Sequence, residues 1–294
     1  MAGNETVAAQ RGIDHLVLPA RDLGALAAFY EKLGFTLTPQ NRHPFGTANR
    51  IVQFQGSFLE LLGLYDDSLI PASSETAFNF AAFNKDFLEK YGYGFSMLVL
   101  ESADAKVDRA AYEAVGLHLF DPFHFSRNAK LPDGSVVTVG FNLTFAADPL
   151  MRETSFFTCE QWAPELFWKP EFQRHRNTAT GVTEVVFVSA DPKSHAGFLE
   201  GFSGCIHQVI DGGIAIDTPR GLLTVITPDA VYNRFGRAPM GPSPGLAGYL
   251  VGVADMGACE SCLEENGIAY DCREGLLVLD PATAFGTVLA FQAV

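Results

Sequence analysis

The stretch GIDHLVLPARDLGALAAFYEKLGF, residues 12–35, decides the fold. It opens as a strand, with Ile13, His15 and Val17 on one face and Asp14, Leu16 and Leu18 on the other. Asp22 then stands as an N-cap, and Leu23, Leu26, Ala27 and Tyr30 make a one-faced helical stripe that Gly34 stops. The pattern returns as GFSMLVLESADAKVDRAAYEAVGL from Gly94, GVTEVVFVSADPKSHAGFLEGFSG from Gly181 and AGYLVGVADMGACESCLEENGI from Ala247. Repeats of this length are repeated supersecondary units.

Working outward, short strand-like runs follow the helices. FTLTPQ, RIVQFQ and SFLELLGL follow the first; CIHQVI, GIAIDT and LLTVIT the third; IAYDCR, GLLVLD and TVLAFQ the fourth. The unit is therefore βαβββ, repeated four times in an α+β chain. One unit alone leaves its sheet half covered and its edge unpaired. Pairing units gives a curved mixed sheet, with helices on the convex side and a concave face free for a ligand. We expect two domains: residues 11–165, carrying modules one and two, and residues 180–294, carrying modules three and four. Residues 65–91 read as an insertion, with SSETAFNFAAFNKDFLEKY beginning in a capping box.

Composition narrows the function classes. The 294 residues are 48% hydrophobic with 25 Phe, enough for a large core. A formal net charge of −14 repels phosphate backbones and anionic lipids, so neither nucleic acid nor membrane is an expected partner. No stretch reaches the roughly 18 apolar residues of a membrane span, and the N-terminus lacks a secretory pattern. Five cysteines suit reduced thiols and a cytoplasmic setting. Cys259 and Cys262 fall on one helical face, where packing explains them. The sequence carries no phosphate loop, no GxGxxG after a strand, no GxSxG nucleophile elbow and no HExxH.

Several motifs resemble the vicinal oxygen chelate superfamily, and within it the glyoxalase-like domain proteins. They are GIDHL (12–16), HPFGTAN (43–49), FLELLG (58–63), FHFSR (123–127), LPDG (131–134) and FFTCEQWAPE (156–165). The resemblance implies paired βαβββ modules that hold a divalent metal with residues from the first and last strands of each module. His15 and Glu60 occupy those positions in module one. In module two the first strand offers Ser96 or Met97, and the last strand offers Glu160 and Gln161. The implied metal set is His15, Glu60 and Gln161, with Zn, Fe, Mn or Ni suited to an imidazole and a carboxylate; a metal-free site is the equal alternative.

Glu60 and Glu160 are the candidate proton-moving groups. Thr47 and Asn49 can orient a polar ligand beside Gly46, and Arg127 suits a substrate carboxylate. His124 is the fourth candidate ligand contact, and His43 could approach the same mouth. Modules three and four carry Glu184 at the position of His15 and only Thr224 and Thr227 in the equivalent last strand, so that half reads as structural. Two functions follow: a metal-dependent lyase or isomerase acting on a small oxygenated molecule, or a metal-free protein that sequesters an aromatic one. A homodimer is compatible with either.

Overall fold

The computed structural model describes residues 9–130 and 136–294, with residues 127–130 traced by backbone alone. Module one comprises β1 (Ile13–Pro19), α1 (Leu23–Lys32), β2 (Asn41–Arg42), β3 (Thr47–Gln53) and β4 (Phe58–Leu64). Helix α2 (Phe80–Tyr91) follows as the insertion. Module two comprises β5 (Met97–Glu101), α3 (Ala105–Ala114), β6 (His118–Leu119), β7 (Phe123–Lys130), β8 (Val136–Ala147) and β9 (Ser155–Gln161). The short α4 (Pro164–Phe167) opens the connector. Module three comprises β10 (Ala179–Val188), α5 (Ala196–Ser203), β11 (His207–Ile210), β12 (Gly213–Asp217) and β13 (Leu222–Ile226), and is followed by α6 (Pro228–Phe235). Module four comprises β14 (Gly245–Val253), α7 (Met256–Glu265), β15 (Tyr270–Arg273), β16 (Leu276–Leu279) and β17 (Val288–Ala293).

Two local expectations shift. FTLTPQ is not a strand: Pro39 breaks it, and Thr38 holds Ile51 through its backbone N–H and its hydroxyl, leaving two-residue β2 as the edge. Helix α2 starts later than the capping box, with Asn79 accepting from the Ala82 N–H.

The first sheet runs β2-β3-β4-β1-β5-β9-β8-β6, with β7 paired to β8. The second runs β11-β12-β13-β10-β14-β17-β16-β15. In each, the first strands of the two modules pair antiparallel at the centre, β1 with β5 and β10 with β14. Each also pairs parallel with the last strand of its own module. This is an α+β architecture of four βαβββ modules, the second with β7 as an extra strand, in two curved mixed sheets. No helix among the described residues is long and apolar enough to cross a membrane.

Strand alternation gives each sheet two apolar faces, and the burial separates into three cores. Leu16, Leu98 and Phe156 from the first sheet share one core with Val185, Phe187 and Phe291 from the second, with the repeat helices between them. The opposite faces point outward. Val17, Met97, Val99 and Phe157 pack under α2, while Val186, Val188 and Leu250 pack under α6. Gly34 shows how close the central layers lie: its φ is +91°, and a Cβ there would come within 2.5 Å of the Cys262 sulfur. Cys259 and Cys262 are buried free thiols on α7.

His175 ties the connector to module one. Its Nδ1 accepts from the Thr36 N–H at 3.1 Å and its Nε2 donates to the Gln53 carbonyl at 2.8 Å. Burial lowers its pKa, with the Gln53 bond opposing the shift. The unfolded chain therefore takes up this proton first, so the contribution is complete above the ordinary histidine value of about 6.5 and declines as pH falls toward the folded value. We expect urea stability of the wild type to fall between pH 7.5 and 5.5 more steeply than that of His175→Gln. Parallel curves would refute this assignment.

Candidate functional site

The outward face of the first sheet is a cup, and register decides which side chains enter it. Along β1 and β4, His15 is opposite Phe58 and Val17 opposite Glu60. Along β3, Asn49 and Ile51 are opposite Leu62 and Glu60. Their alternating side chains share the face, so His15, Glu60 and Asn49 line one cavity despite their separation in the chain. Its empty space, mouth included, is about 550 Å³. Phe58, Phe125, Phe141 and Phe157 form much of the remaining wall. His15 stacks on Phe58, with ring centroids 4.1 Å apart.

The polar wall is a connected network. Asp14 Oδ2 lies 2.6 Å from His15 Nδ1, and His15 Nε2 lies 3.9 Å from Glu60 Oε2. Asn49 Nδ2 donates to Glu60 Oε1 at 2.7 Å and to His43 Nε2 at 3.2 Å, and His43 Nδ1 is 2.7 Å from Thr47 Oγ1. All six residues are buried. Simple alternation puts Asp14 on the face opposite His15, but the β1–β5 register slips between Ile13 and His15. That bulge gives Asp14 its reach to the imidazole. Gly46 supports the loop from His43: its φ is +90°, and a Cβ there would meet the Asp66 carbonyl at 2.3 Å.

Among the described residues the network does not extend into module two. The central β1–β5 pair relates His15 to Met97 and Val17 to Val99, since each lies opposite the other's counterpart. In module one Val17 is opposite Glu60, whereas in module two Val99 is opposite Phe157. Met97 and Phe157 therefore occupy the second pair of metal positions. Helix α2 covers them, with Asn84 4.0 Å from the Met97 sulfur and the Phe80 ring 6.4 Å from that of Phe157.

Four expected placements change accordingly. Gln161 shares the cup face but lies four residues beyond Phe157, opposite Phe141, and is not among the cavity-lining residues. Glu160 points to the other face of β9, where it accepts from the Ala105 N–H at 3.1 Å and Asn142 Nδ2 at 2.9 Å. His124, opposite Asn142, shares that surface groove. Thr47 braces His43 rather than lining the cavity. The Arg127 side chain and LPDG (131–134) lie outside the described residues.

Asp14 joins the network without a sequence signal, and His43, expected only near the mouth, enters it as a buried member. A bulge leaves no mark in alternation, and a loop histidine reads as solvated. Cys159 also lines the cavity; burial, reinforced by the carboxylates of Asp14, Glu60 and Glu160, pushes its thiol pKa well up.

The donor set does not fit the two-module metal arrangement. Half its positions are a thioether and a phenyl ring, and Asn49 already occupies one Glu60 oxygen. Among the described residues no three His, Cys, Asp or Glu are arranged to hold a metal ion.

In the second sheet Glu184 and Thr224 take the register positions of His15 and Glu60. There Glu184 accepts from Thr224 Oγ1 at 2.7 Å and from both terminal nitrogens of Arg234 at 2.6 Å, while Val231 and Phe235 of α6 fill the cup.

The sequence profile described as a glyoxalase-like domain matches residues 13–202. No curated protein matches the chain. Among solved structures, a hypothetical protein from Staphylococcus aureus is similar at 12% identity and TM-score 0.67, over 97% of this chain and 100% of that one. A mutant 4-hydroxymandelate synthase from Streptomyces coelicolor has 12% identity and TM-score 0.58, covering 97% and 92%. A Mn(II)-bound glyoxalase from Novosphingobium aromaticivorans has 12% identity and TM-score 0.57, covering 97% and 83%. These likenesses concern the fold.

Proposed function

Since the chain belongs to the family of glyoxalase-like domains, we propose that its module-one cup is a metal-independent proton-transfer site, acting as an isomerase or lyase on a small, mainly apolar oxygenated molecule. The observation that carries this reading is the line Asp14–His15–Glu60 along one wall of a phenyl-lined cavity. His15 Nδ1–H donates to Asp14, which leaves the Nε2 lone pair toward the cavity. Nε2 takes a proton from the bound molecule, Asp14 stabilises the imidazolium, and the proton returns to a neighbouring atom or leaves with an expelled group. Glu60, held by Asn49, is the second acceptor. The aromatic wall excludes water and strengthens these interactions.

Metal removal tests the reading. We expect EDTA dialysis to leave the melting temperature and small-ligand binding unchanged, with well under one Zn, Mn, Fe or Ni per chain beforehand. A stoichiometric metal whose removal abolishes binding overturns it. The phenylalanine lining also supports a second reading, sequestration without turnover; a bound molecule recovered chemically unchanged after prolonged incubation favours that one.

A further inference from the structure

We infer that Asn49 reads a hydrogen-bond donor on the ligand, so that the cup takes small ring compounds carrying an O–H or N–H and discriminates against their methyl-capped and anionic counterparts. This rests on the module-one cup being the ligand site.

The amide orientation of Asn49 is decided by its neighbours. Its nitrogen lies 2.7 Å from Glu60 Oε1, and a carboxylate oxygen only accepts, so Nδ2 must face it. The second Nδ2 hydrogen goes to His43 Nε2. The carbonyl oxygen Oδ1 is thereby a buried acceptor with no hydrogen-bond partner among the described residues. Asn49 is 5% exposed and lines the cavity. A buried acceptor in apolar surroundings requires a donor.

The rest of the wall shares this bias. With Nδ1 bonded to Asp14, His15 Nε2 presents a lone pair, and Glu60 Oε2 faces it at 3.9 Å, too far for a direct hydrogen bond. Acceptors thus converge from three side chains. Among the described residues no Lys or Arg lines the cavity, and the Glu60 carboxylate repels an anionic group placed beside it. The remainder of the ligand contacts phenyl rings, which favour an apolar ring.

The test uses the full-length protein and four probes: benzyl alcohol and benzyl methyl ether, aniline and N,N-dimethylaniline. Binding is titrated while the ¹⁵N resonances of the His15 ring report cup occupancy. We expect at least one donor to bind tenfold or more tightly than its capped partner, since capping leaves Asn49 Oδ1 unpaired. The preferred pair identifies O–H or N–H. In Asn49→Leu the ratio should fall toward one. Benzoate should bind more weakly than benzyl alcohol.

Equal binding of capped and uncapped probes, with His15 shifts, overturns the donor assignment and leaves the cup as the ligand site. Saturable binding without any His15 shift overturns both. A ratio preserved in Asn49→Leu assigns donor recognition to another acceptor and overturns the role of Asn49.

Discussion

Replacing Asp108 with alanine lowers the unfolding free energy by about 3–5 kcal/mol, because it strands a buried guanidinium. Arg11 and Asp108 are 2% and 4% exposed and meet at 2.8 Å. The guanidinium also contacts the Ala9 and Phe202 carbonyls and lies 4.8 Å over the Tyr112 ring. It thus joins the segment before β1 to α3 and to α5 of the other sheet. Desolvation makes an intact buried pair a modest net stabiliser, whereas removing one partner exposes the full penalty. Arg11→Met combined with Asp108→Leu should therefore recover most of the loss. Urea denaturation of both single variants and the double variant closes the cycle; a loss below about 1 kcal/mol in Asp108→Ala removes the argument.

Asp14→Asn should reverse the proton on His15 and reduce turnover by about 10²–10⁴-fold if imidazole basicity drives the step. Asparagine keeps the shape of the side chain, but its amide can donate to Nδ1 and move the ring hydrogen to Nε2. The lone pair then faces away from the cavity. Two-bond ¹H–¹⁵N spectra can identify the ring tautomer without a substrate. We expect Nδ1–H in the wild type and Nε2–H in Asp14→Asn. An unchanged tautomer would show that Asp14 does not orient the base. An unchanged kcat on a turned-over substrate would reject His15 as the base.

The repeat and its helix stripes were legible because periodicity and glycine stops are local features, and His15 with Glu60 was legible through the outer strands of module one. The remainder depends on register. A one-residue bulge brings Asp14 to His15, and odd–even alternation sends Glu160 away from the cup. Aligning β5 with β9 places Phe157, rather than Gln161, at the position matching Glu60. Only the fold reveals that α2 covers Met97 and Phe157, since nothing in the sequence of an insertion states which face it will cover.

Helices α2 and α6 enter between corresponding strands of the two halves. One stopper leaves a chamber beside His15; the other is bolted down by Arg234 on Glu184. Twin vessels standing on a common foundation have thus acquired separate fates through their lids. Such a plan lets chemistry be gained or retired in one vessel while the masonry joining the pair stays untouched.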